Sequence, residues 1–66
     1  MKNTIKVQRA IKDLTQDQLA QKVGVSRQTI NSIEKGRYVP STLLALKMSA
    51  IFDVPVNEFF ELESDD

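Results

Sequence analysis

Apolar residues recur at helical spacing along most of the chain. Ile5, Val7, Ala10 and Ile11, followed by Leu14, predict a first helix over about 4–12, capped by Asn3 or Thr4. Leu19, Ala20 and Val23 predict a second over 16–23, opened by the capping-box pair Thr15 and Gln18 and ended by Gly24. Ser26 is the N-cap of a third helix over 27–35, with apolar positions Ile30 and Ile33 and a stop at Gly36. Within the first helix, Val7 and Ile11 lie one turn apart. Ordinary core packing is the expected role for them, and a second apolar stripe against the C-terminal segment or a partner subunit is the alternative.

The rest of the chain divides at its prolines. Gly36-Arg37-Tyr38-Val39-Pro40 reads as a loop, because Pro40 disfavours helical backbone at Val39. Ser41 then caps a fourth helix to about Phe52, and Leu43, Leu46 and Ala50, with Leu44 and Ile51, are expected to face the core. Asp53-Val54-Pro55 is a break, and Pro55 suits the first turn of a short fifth helix through Phe59 or Phe60. Phe60-Glu61-Leu62-Glu63 alternates apolar and charged residues as a strand does. Pairing of residues 60–63 with residues 1–4 is one expectation; frayed ends are the other.

The stretch Gln16–Lys35, QDQLAQKVGVSRQTINSIEK, has the form of a helix-turn-helix, with its turn at Gly24–Val25. Ala20 stands where the two helices approach most closely, so a small side chain is required there. Gly24 stands where the backbone reverses, and a positive φ there costs any other residue about 1 kcal/mol or more. The run LTQDQLAQKVGVSRQTINSIEKGRYVPS, Leu14–Ser41, closely resembles the Cro/C1-type (Xre-like) helix-turn-helix family of transcriptional regulators. With its neighbours the resemblance spans roughly residues 3 to 60. SRQTINSIEKGRYVPS is also similar to the very small stand-alone members, of the type of the cytolysin-operon repressor. The resemblance implies an all-α, five-helix fold whose second motif helix enters the major groove, with most members homodimeric. It also implies that terminal segments can pair as a short two-stranded sheet. Where family members usually carry an apolar residue, this chain has Gln8.

Sixty-six residues make one domain, near the lower limit for folding without a staple. With no cysteine and no histidine, neither a disulfide nor a Cys/His zinc site supplies one, so helix packing must, with dimerisation as a further source. No apolar run reaches the roughly 20 residues of a membrane span, and the resemblance implies a cytoplasmic location, in a prokaryotic cell or phage-encoded. The net charge is zero, but it is unevenly divided. Residues 1–40 carry eight Lys/Arg against three acids, a balance of +5, and residues 41–66 carry one against six, a balance of −5. A basic face for a polyanion and an acidic end turned away from it follow from that division. Enzyme chemistry has little support: there is no Cys/His nucleophile or base, no Gly-rich phosphate loop and no evident carboxylate pair. No cofactor, metal or small-molecule effector is implied.

The candidate chemistry lies on and beside the third helix. Arg27, Gln28 and Ser32 are expected to share one exposed face opposite Ile30 and Ile33, the arrangement a major groove accepts. Arg pairs bidentately with guanine O6 and N7, and Gln with adenine N6 and N7. Asn31, at the edge of this face, reaches a base or a phosphate. Thr29 either touches the groove wall or faces solvent. Lys35, Arg37 and Tyr38 follow the helix and are placed for the DNA backbone. The resemblance adds Gln16, at a family position that holds a phosphate, and Arg9, divided between an ion pair with Glu34 and a phosphate contact, with the ion pair favoured. Phe59, Phe60 and Leu62 are expected at a dimer interface, with core packing as the competing role. The expected function is repression from a pseudo-palindromic double-stranded DNA operator, as a homodimer. An antitoxin-type regulator or a protein-interaction module of the same fold is the alternative.

Overall fold

Side-chain caps fix where the helices begin. In the computed structural model, which describes residues 1–66, four α-helices run in order: α1 Ile5–Ile11, α2 Gln16–Val23, α3 Arg27–Glu34 and α4 Thr42–Phe52. The Thr15 hydroxyl accepts from the Gln18 N–H at 3.0 Å and the Gln18 side chain accepts from the Thr15 N–H at 2.9 Å, completing the capping box of α2. Ser26 and Ser41 accept from the Thr29 and Leu44 N–H groups and so open α3 and α4. For α1 the cap comes from Asn3 rather than Thr4. Its Oδ1 accepts from the Ile5 N–H at 3.3 Å, while its Nδ2 donates to the Ile33 carbonyl at 2.8 Å. One short side chain thereby starts α1 and ties it to the end of α3, where the Ile33 carbonyl also accepts from the Gly36 N–H at 2.9 Å.

Two short strands close the chain, β1 Lys2–Asn3 and β2 Phe60–Glu61, antiparallel with Lys2 opposite Glu61 and Asn3 opposite Phe60. The terminal ammonium of Met1 lies 3.0 Å from Glu63 and 3.2 Å from Asp66, extending this clasp. The expected fifth α-helix is absent. A single 3-10 turn, Val56–Glu58, stands in its place. Pro55 and the strand at Phe60 leave only a few residues between them, too few to nucleate an α-helix.

The core consists of Ile5, Leu19, Ala20, Val23, Ile30, Ile33, Leu44, Met48, Phe52, Phe59 and Phe60. Phe59 stands edge-on to Phe52, with ring centroids 5.1 Å apart, and tilts against Phe60. Both C-terminal rings are therefore spent inside the chain. This corrects the expectation that Phe59 and Phe60 form a dimer surface; of that trio only Leu62 is exposed. The inward stripe of α4 also differs from the expected one. Leu44, Met48 and Phe52, with Ile51 partly buried, face the core, whereas Leu43, Leu46 and Ala50 point outward. A helix that is apolar all round has no unique inner face in its sequence, so only the packed structure selects one. Val7 and Ile11 are likewise exposed rather than packed in the core.

Candidate nucleic-acid interface

The α2–α3 pair is held at its turn by Gly24, whose φ of +78° places it in the left-handed region. Its N–H and that of Val25 both donate to the Ala20 carbonyl, and Ala20 is buried. This motif fixes α3 with Ile30 and Ile33 buried, leaving Arg27 and Gln28 exposed at its N-terminal turn.

A polar network sets the tilt of α3 against the other helices. Arg9 of α1 grips Glu34 of α3 with two bonds, Nε to Oε2 at 2.7 Å and Nη2 to Oε1 at 3.1 Å. Its Nη1 donates to the Leu14 carbonyl at 2.9 Å. From the start of α2, Gln16 Nε2 donates to Glu34 Oε1 at 3.3 Å and reaches Asn31 Oδ1 at 3.4 Å. The Arg9 and Glu34 side chains are only 14 and 9 % exposed, so this pair is structural and is not a free phosphate contact. The bond from Gln16 to Asn31 had no signal in the sequence, because no local spacing links residues on different helices.

The residues expected to face DNA divide into two groups about α3. At about 100° per residue, Arg27 through Gln28 to Ser32 sweeps about 140°, wider than a single narrow face. On one side, Arg27 lines a cleft with Arg9, Thr15, Gln16 and Asp17, at the N-terminus of α2. That cleft has no apolar wall, and helix N-terminal N–H groups and two guanidinium groups border it. On the other side, Gln28, Thr29 and Ser32 line a groove with Ser26, Arg37 and Tyr38. The Arg37 N–H donates to the Ser32 carbonyl at 2.9 Å, which draws the loop after α3 back alongside the helix. Ser32 and Asn31 are half-buried, and Lys35, Arg37 and Tyr38 are exposed. Thr29 is half-buried, with its hydroxyl paired to the Ser26 hydroxyl at 2.9 Å, so it belongs to the cap as much as to the groove wall. The outcome is a projecting helix start between two polar recesses, a shape suited to a groove with a phosphate ridge on each side.

Comparison with known proteins agrees with this geometry. A helix-turn-helix family profile matches residues 5–59. An uncharacterized helix-turn-helix-type transcriptional regulator of Methanocaldococcus jannaschii is 52% identical over 66 residues, covering all of both chains. The regulator YgzD of Bacillus subtilis is 48% identical over 65 residues, 98% of each chain. Among solved structures, the restriction-modification controller protein C.AhdI of Aeromonas hydrophila superposes with a TM-score of 0.76 at 28% identity, over 85% of each chain. No helix is long and apolar enough to cross a membrane. On sequence, fold and the geometry of α2 and α3 together, the chain belongs to the Cro/C1-type helix-turn-helix family of DNA-binding transcriptional regulators.

Proposed function

We propose that this chain is a repressor that binds a pseudo-palindromic operator as a homodimer and blocks transcription by occupying a promoter. The observation that carries the reading is the exposed start of α3, with Arg27 and Gln28 projecting between two polar recesses. In this reading α3 lies in the major groove, Arg27 and Gln28 read bases, and Ser32 and Asn31 contact the edges of the same site. The backbone N–H groups at the start of α2, at Gln16, hold a phosphate on one side, the Gln16 side-chain amide being engaged by Asn31 and Glu34, and Lys35, Arg37 and Tyr38 hold the backbone on the other. Thr29 supports the groove wall through its bond to Ser26. Leu62, exposed beyond β2, is available to a partner copy. The role of the controller protein, as its name gives it, fits a regulator of this size.

The test is the pair of variants Arg27→Ala and Gln28→Ala, each assayed for binding to the preferred operator and to single-base changes in it. Each loss is expected to cost about 1–3 kcal/mol and to relax discrimination at one base pair of each half-site. Uniform weakening on all sequences would move these residues from base reading to phosphate contact. Unchanged binding would favour a protein-interaction module with the same fold.

A further inference from the structure

We infer that Thr29 reads one thymine in each half-site through its γ-methyl group, which packs on the C5-methyl of that base. The inference rests on the operator reading above and adds a specificity contact to it. At about 100° per residue, Thr29 lies about 60° round α3 from Ser32 and about 100° from Gln28, on the flank away from Arg27. It lines one groove with both of those residues and with Ser26, Arg37 and Tyr38.

The hydrogen bonds of the α3 cap decide which branch of the side chain is left for a ligand. Thr29 Oγ1 lies 2.9 Å from Ser26 Oγ, and the Thr29 N–H donates to the same serine oxygen at 3.1 Å. These two bonds turn the hydroxyl back over the N-cap and fix the side chain, which is already stiff at χ1 because it is β-branched. The γ-methyl is the branch left to meet what enters the groove. The other side chains lining it end in hydroxyl, amide and guanidinium groups, except for the Tyr38 ring. An apolar point in a polar recess discriminates by what it is set against.

Of the four bases, thymine alone presents an apolar group in the major groove, its C5-methyl. A methyl set against it takes both groups out of water. Set against cytosine, the same methyl would cover the N4 amino donor without accepting from it, which is unfavourable. The threonine side chain is short, so this contact forms only when α3 is fully seated, and a complex held by phosphates alone does not make it. Consecutive residues are about 3.8 Å apart at Cα and consecutive base pairs about 3.4 Å apart along the duplex. The thymine therefore lies within one or two base pairs of the pair read by Gln28.

The experiment uses the full chain and a duplex selected by it from a random pool, with thymines replaced one at a time by deoxyuridine. That change removes the C5-methyl and leaves every hydrogen-bonding group of the base in place. Wild type is compared with Thr29→Ser, which keeps the hydroxyl and drops the methyl, and Thr29→Val, which does the reverse; circular dichroism checks that each variant folds. For wild type, replacing the contacted thymine is expected to weaken binding about fourfold in one half-site and about sixteenfold in both. Binding to competitor DNA should not respond to the same replacement. Thr29→Val should retain the loss, and Thr29→Ser should bind thymine and deoxyuridine duplexes alike. Deoxyuridine without effect at every position, a loss that survives in Thr29→Ser, or a loss that vanishes in Thr29→Val would each overturn the assignment. A selected duplex indifferent to deoxyuridine, on which Gln28→Ala still relaxes discrimination, would defeat this contact and leave the reading of α3 standing. A pool that yields no duplex would defeat both.

Discussion

At the scale of single residues, Gly24 shows how backbone conformation and function are joined. Its φ of +78° is needed to turn α2 into α3, yet a Cβ built there meets nothing within 4 Å. The cost of a side chain is therefore conformational and not steric. Gly24→Ala is expected to lower stability by about 1–2 kcal/mol and to leave Arg27 and Gln28 in place. Chemical denaturation checks the first part and operator titration under folding conditions the second. The sequence announced this position because glycine before a new N-cap is a local signal. It announced Asp53 less well. That residue ends α4 at φ +59°, a left-handed position usually marked by glycine, and Asp tolerates it only better than most. Caps at Thr15, Ser26 and Ser41 were legible for the same local reason: donor and acceptor lie three residues apart.

At the scale of elements, the position of α3 depends on contacts from outside the motif. Arg9 and Gln16 both hold Glu34, and Asn3 ties β1 to the carbonyl of Ile33. Removing one partner of the mostly buried ion pair leaves the other desolvated without compensation. Glu34→Ala is therefore expected to destabilise the chain by roughly 2–3 kcal/mol, somewhat below the ~3–5 kcal/mol of a fully buried pair. It should also weaken operator binding, although Glu34 contacts no DNA in this reading. A thermal melt with a parallel binding titration measures both effects. Unchanged stability would show that Arg9 and Glu34 are held only loosely. The ion pair was expected through family resemblance, whereas periodicity alone could not bring α1 and α3 together. The orientation of α4 was illegible for a different reason. Its apolar residues lie on every side, so the inner stripe follows from which residues meet Phe59 and the α2–α3 pair, and no pattern within α4 records that. The expected fifth helix failed on length, since a proline and a strand left room for one 3-10 turn.

At the scale of the whole molecule, function follows from how charge and apolar surface are apportioned. The basic balance of residues 1–40 accompanies the start of α2, α3 and the loop after it. The acidic balance of residues 41–66 reaches that side at one place, where Glu58, Glu61 and Glu63 line the same pocket as Lys35. In the proposed homodimer, the two α3 helices would enter successive turns of the major groove, about 34 Å apart. The charge division was visible in the sequence, as was the helix-turn-helix of α2 and α3. The exposure of Leu43 and Leu46 was hidden, because these leucines read equally well as core.

The central claim is that two copies read an inverted repeat through α3, and selection of bound duplexes from a random pool, followed by salt titration of the winner, tests it most directly. The expected winner is an inverted repeat with half-sites about one helical turn apart. If Lys35 and Arg37 of each copy neutralise one phosphate apiece, the affinity should fall with a log–log salt slope of about −3.6. Absence of enrichment over competitor DNA, or a selected site without two-fold symmetry, would contradict the claim.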